Sequence, residues 1–237
     1  MANITVHGLR SKTAIRKYAR NTIGGLGEPS KMPGFAYGIP PEFCRTGSKL
    51  RELDGTPCSN CYACKGRYTT TEKDGTPGSV ARAQANRYAT LANLEEWRQN
   101  FVTILRSLTP ITAPELRYFR WHDAGDIQSA EHLTAIVAIA REVPEWSFWV
   151  PTQEHGEVRR YLQSGGTFPA NLCVRESSPK LGVLINASTG SSSYVEPDKG
   201  KFLANPNRCT AYENGGECGD CRDCWNPAVP VKVYPEH

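Results

Sequence analysis

Cysteine placement constrains this chain more than any other feature. Nine cysteines occur in 237 residues, and eight of them form two groups of four: Cys44, Cys58, Cys61 and Cys64, then Cys209, Cys218, Cys221 and Cys224. No apolar run approaches the roughly 20 residues that cross a bilayer, and the N-terminus lacks the apolar core of a signal peptide. The expectation is a soluble, cytoplasmic protein with no membrane partner. Thiols stay reduced in that compartment, so grouped cysteines point to metal rather than to disulfides.

The two groups differ in spacing. The later one reads Cys218-Gly-Asp-Cys221-Arg-Asp-Cys224-Trp225, with Cys209 upstream. Three cysteines at successive two-residue gaps plus a fourth can wrap a 4Fe-4S cubane, each thiolate on its own iron. Zinc more often takes two separated Cys-x-x-Cys pairs and stands as the alternative metal. Trp225 is placed to shield such a cluster. In the earlier group Cys44 precedes Cys58-Ser-Asn-Cys61-Tyr-Ala-Cys64 by a gap of 13 residues. With three ligands, one iron would stay open to a small molecule, as catalysis or radical generation requires; with four, the site is closed and suits electron transfer or structure. A single site shared by both groups, and a zinc clip joining tail to body, are further alternatives. Cys173 lies within an apolar stretch and reads as a buried thiol.

Between the cysteine groups the chain alternates strand and helix. Helices are expected from Val80 to about Ala92, capped by Ser79, and from about Leu94 to Leu108, where Trp97, Phe101, Ile104 and Leu105 share a face. Strand 116–121, a helix capped by Ser129 and ended by Pro144, strand 147–150, helix 156–162 and strand 172–175 follow. This pattern predicts an α/β fold, either a partial (β/α) barrel or an open parallel sheet. The stretch from Met1 to about Pro57 reads as loops and short elements, and the Ser/Gly/Pro-rich stretch after 186 reads as a linker. The domain reading is a body over 1–205 that carries the first cysteine group on a loop, and a Cys-rich metal-binding tail over 206–237 packed on it.

Reactive residues of parallel sheets gather where strands end. Three polar groups fall there: His122, Asp123 and Asp126; Gln153, Glu154 and His155; Arg175, Glu176 and Ser177. In a parallel sheet all three should face one cleft, with His122, Asp123, Asp126, Glu154 and Arg175 as candidate catalytic groups. A net charge of +4 permits nucleic-acid contact without arguing for it, and Arg10, Lys12, Arg16, Lys17, Arg20 and Lys31 concentrate near the start. No Gly-x-Ser-x-Gly elbow, Walker loop or His-Glu-x-x-His helix occurs, which removes support for simple hydrolase and nucleotidase classes.

Several phrases together resemble the bacteriophage gene product 88 family: Cys58-Ser-Asn-Cys61-Tyr62-Ala63, Lys65-Gly66-Arg67-Tyr68, Phe119-Arg-Trp-His-Asp-Ala-Gly-Asp126, Phe148-Trp-Val-Pro-Thr-Gln-Glu154, Asn171-Leu-Cys-Val-Arg175 and Cys218-Gly-Asp-Cys-Arg-Asp-Cys-Trp225. The resemblance implies a phage protein of the host-cell cytoplasm, with metal ligands at Cys44, Cys58 and Cys61; Cys64 departs from the family pattern. A looser likeness, in the order of parts alone, is to radical S-adenosylmethionine enzymes. It implies that the Gly125-Asp126 turn, together with Ser177, would bind S-adenosylmethionine, but the Cys44-x13-Cys58 spacing departs from those enzymes. The expected function is therefore iron–sulfur binding, with radical or redox chemistry on a nucleotide or other small molecule. The alternative is a metal-stabilised binding protein for a host protein or nucleic acid.

Overall fold

A computed structural model describes residues 9–236. For positions 1–8, the reading of an irregular start without an apolar core lies outside the described residues.

The stretch before Pro57 is more ordered than its Gly and Pro content suggests. Helix α1, Lys12–Thr22, starts where Ser11 Oγ accepts from the Ala14 amide at 3.2 Å, and it buries Ile15 and Ala19. Strand β1, Phe35–Tyr37, is buried throughout, and helix α2 spans Arg45–Arg51. Helix α3, Ser79–Thr90, is capped by Gly78 rather than by the expected Ser79, which is its first residue. Helix α4 spans Leu94–Leu108, as its apolar period predicts, and Asn93 Oδ1 caps it by accepting from the Glu96 amide.

Strand β2, Tyr118–Trp121, is followed by helix α5, Ala130–Glu142, which Ser129 caps at 3.2 Å. Strand β3, Ser147–Thr152, leads to helix α6, His155–Gln163, and then to β4, Leu172–Ser177. The segment expected to be a linker contains β5, Ser192–Glu196, and helix α7, Lys199–Ala204, comes next. The tail ends in β6, Val231–Pro235, which pairs with β5 along its full length.

All six strands are parallel and lie side by side in chain order, with β1 and β6 at the edges. The sheet is open rather than closed into a barrel. Successive right-handed crossovers in one direction place helices on one face. There α1, α4, α5 and α6 cover Phe119, Trp121, Phe148, Val150, Leu172 and Val174 in one core. On the other face Trp149 packs with Cys224 and Trp225 from the tail. Among the described residues no helix is long and apolar enough to cross a membrane.

Phe101 is fully buried and meets Tyr37, Trp97, Phe119 and Trp121 edge-on or tilted. Phe101→Ala should cost about 3–5 kcal/mol in urea unfolding, whereas exposed Leu53→Ala should stay within about 0.5 kcal/mol of the parent chain.

Candidate metal centres

The first cysteine group sits on the long connection after β1, over the C-terminal edge of the sheet. The Ile39 amide donates to the Ala124 carbonyl, laying this connection beside the turn after β2. The Thr46 amide and hydroxyl then donate to the two oxygens of Glu154, at 2.6 and 2.7 Å, tying α2 to the end of β3. Arg45 adds an ion pair with Glu157 at 3.3 Å, and the Leu181 amide donates to the Gly55 carbonyl. The loop is thus fastened to three successive strand ends.

Within it two of the thiols, Cys44 and Cys58, flank one glycine. A Cβ at Gly47 would stand 3.7 Å from both the Cys44 and Cys58 sulfurs and 3.1 Å from the Cys44 Cβ, so the two thiols lie on either side of one backbone position. The Cys64 amide donates to the Cys61 carbonyl at 3.1 Å, and the Cys61 amide to the Cys58 carbonyl at 3.2 Å, so the three follow one another in successive turns. Burial first, then neighbouring thiols and Asp126, push the Cys44 thiol up and the Cys58 thiol up to about 12. Buried thiols such as Cys44 and Cys58 hold their protons unless a cation takes the protons' place.

The second group is built on the helix-free face. The Cys209 amide donates to the Val233 carbonyl at 2.7 Å, the Cys218 amide to the Lys31 carbonyl at 2.9 Å, and the Cys221 amide to the Cys218 carbonyl at 3.0 Å. Cys224 Sγ lies 3.1 Å from the Tyr234 hydroxyl. Burial raises the Cys209, Cys218 and Cys224 thiols, Cys224 to about 12, and the group's own members repel one another.

Two anchors hold this tail. Trp225 sits between Tyr118 and Trp149, with ring centroids at 5.3 and 5.4 Å, and its Nε1 donates to the Phe119 carbonyl at 3.0 Å. Arg175 is completely buried and donates to the carbonyls of Ser192, Val229 and Asp223 at 2.9–3.1 Å. It was expected at a strand-end cleft. Its position inside β4, two residues before the last, instead points it at the tail.

The other strand-end residues separate in the same way. Asp126 accepts from Thr152 Oγ1, the Gln153 amide and the Ile127 amide at 2.6–2.8 Å, so the first two polar groups meet across β2 and β3. Asp123 Oδ2 accepts from the Tyr68 hydroxyl at 3.5 Å. Ser177 faces Ser193 at 3.2 Å, and its carbonyl lies 2.9 Å from His155 Nε2. Gly125 has φ +78° and leaves room for Ile39, whose carbonyl oxygen a Cβ would approach to 2.8 Å. His122 is buried at φ +55°, with neither ring nitrogen hydrogen-bonded among the described residues, and its ring lies 5.5 Å from that of His132. Burial, then His132 and Arg120, hold its pKa well below the ordinary histidine range. Among the described residues no three His, Cys, Asp or Glu side chains are gathered as ligands of a single ion. Cys173 is a buried free thiol.

Arg120 is a site residue that motif reading missed. Its guanidinium donates to the Tyr62 hydroxyl at 3.1 Å, beside the first cysteine group, and lies 4.7 Å over the Trp149 ring under the second. Alternation along β2 is the signal that could have found it, since it puts Tyr118 and Arg120 opposite the core residues Phe119 and Trp121.

A family model described as Gene product 88 matches residues 9–227, and the chain belongs to that family. No curated protein and no solved structure matches it.

Two substitutions test this geometry. Arg175→Met leaves several buried carbonyls without a donor and should cost at least about 2 kcal/mol. In limited proteolysis, cleavage should move to 206–230 ahead of the body. Asp126 is pushed up to about 7, chiefly by burial and against hydrogen bonds from Thr152 and Gln153, so its share of stability is present below about pH 4 and lost as pH rises to 7. Burial takes His132 down to about 4, so its share is present above pH 6.5 and lost on acidification. The two oppose each other between pH 4 and 6.5. Asp126→Asn should therefore make urea-measured stability fall more steeply on acidification there, by on the order of 1.4 kcal/mol per pH unit.

Proposed function

We propose that this member of the gene product 88 family is an iron–sulfur protein with two closed sites, one on Cys44, Cys58, Cys61 and Cys64 and one on Cys209, Cys218, Cys221 and Cys224. The observation that carries this reading is the presence of two four-cysteine groups on one body, each held to it by backbone hydrogen bonds of its own. Thiolates are soft ligands suited to iron–sulfur clusters and zinc, and the successive two-residue gaps of the second group fit a cubane. A metal clip is not needed to fasten the tail, because β6, Arg175 and Trp225 already do so.

Cys64 decides between radical and electron-transfer chemistry. Its place one turn after Cys61, whose carbonyl accepts from the Cys64 amide at 3.1 Å, favours four ligands over three, and a closed cluster over one with an iron free for S-adenosylmethionine. A bound cluster supplies one-electron storage. The chain's own residues set the surroundings: Trp149 and Trp225 pack with Cys224, and the Tyr234 hydroxyl meets the Cys224 sulfur, the kind of contact that tunes a potential. The competing reading, binding of host nucleic acid through the basic N-terminal region, is weakened because Lys12 and Arg16 both pair with Glu28, at 3.2 and 2.6 Å.

Protein purified without oxygen should be brown and, after reduction, show cluster signals in electron paramagnetic resonance. Cys44→Ser and Cys221→Ser should each remove roughly half the visible absorption, and the reduced protein should not cleave S-adenosylmethionine. A colourless chain with stoichiometric zinc would falsify the reading.

A further inference from the structure

An open cavity of about 620 Å³ lies between the two cysteine groups. Asn60, Tyr62 and Lys65 line it from beside Cys61 and Cys64. Lys31 closes it on the other side, and its carbonyl accepts from the Cys218 amide at 2.9 Å. The volume falls in the range of sites for small molecules, roughly 300–1,000 Å³.

Its walls combine two chemistries. Tyr62 and Tyr68 present rings with centroids 5.8 Å apart and planes inclined at 63°. Both are held from behind, Tyr62 donating to the Asp123 carbonyl and Tyr68 to the Asp123 carboxylate, so little side-chain freedom is left to lose on binding. Lys31 and Lys65 are both exposed, and no carboxylate lines the cavity. Among the ion pairs of the described residues neither lysine takes part. Lys31 Nζ donates to the Gly215 carbonyl at 3.4 Å and Lys65 Nζ to Asn60 Oδ1. An ammonium group has three donors, so each keeps capacity for an anion.

We infer that this cavity binds a nucleoside phosphate, its base against Tyr62 and Tyr68 and its phosphates between Lys31 and Lys65. Aromatic faces accept any base, and unneutralised lysines supply the anion contact. The assignment of a ligand class rests on the walls of the cavity; the meaning of a ligand held between the two cysteine groups rests on the iron–sulfur reading above.

Isothermal titration of the full metal-loaded chain with ADP, adenosine and orthophosphate tests the inference. ADP should bind at least tenfold more tightly than either fragment and weaken as salt rises. In the double variant Lys31→Ala/Lys65→Ala, ADP affinity should fall at least tenfold while adenosine affinity and the visible spectrum stay unchanged. ADP binding no tighter than adenosine, or an unaffected double variant, overturns the inference. A brown protein that ignores ADP overturns this inference alone, and a colourless zinc protein that binds ADP overturns the iron–sulfur reading alone.

Discussion

A parallel sheet whose strands follow in chain order cannot cover both of its faces with its own helices. Each right-handed crossover turns the same way, so α4, α5 and α6 accumulate on one side and the other side needs a separate cover. Here the cover is the cysteine-rich tail, and its attachment explains the buried polar residues of that face. Arg175 would be untenable inside a sheet without the carbonyls that the tail brings to it. Trp225 fills the space beside Trp149, and the last strand returns the chain to the sheet edge. The second cysteine group is held where it is by ordinary packing and hydrogen bonds.

The same strand order gathers every loop that follows a strand at one edge. The long connection after β1 lies across that edge and brings the first cysteine group over the ends of β2 and β3, where Glu154 grips Thr46. Arg120 touches both neighbourhoods from β2, one strand in from the sheet edge. The two groups are therefore neighbours in space although they lie at opposite ends of the sequence.

Much of this was legible beforehand, and the exceptions have physical causes. Helices α4 and α5 announce themselves because each buries an apolar stripe between a capping side chain and a proline. Strands β3 and β4 do so because, buried on both faces, they read as continuous apolar runs. Strand β1 is three residues between glycines, and β5 opens on two serines and closes on a glutamate, so neither carries a periodic signal. The cysteine groups stood out from spacing, and the structure adds the backbone hydrogen bonds that fix each of them on the body. The candidate catalytic residues were the weakest part: proximity to a strand end predicts exposure in a cleft only if register is known. Arg175 and Ser177 share a face of β4, yet only Ser177 reaches its end. His122 was found for its type, whereas its left-handed backbone, a conformation that side chains other than glycine seldom adopt, is visible only in three dimensions.

The central claim is that both four-thiol groups hold iron–sulfur clusters. Quantitative iron, zinc and acid-labile sulfide analysis of anaerobically purified chain tests it most directly, because sulfide distinguishes a cluster from any thiolate-bound single ion. Two cubanes predict about eight irons and about eight sulfides per chain with negligible zinc. Zinc at one or two equivalents with no sulfide would contradict the claim.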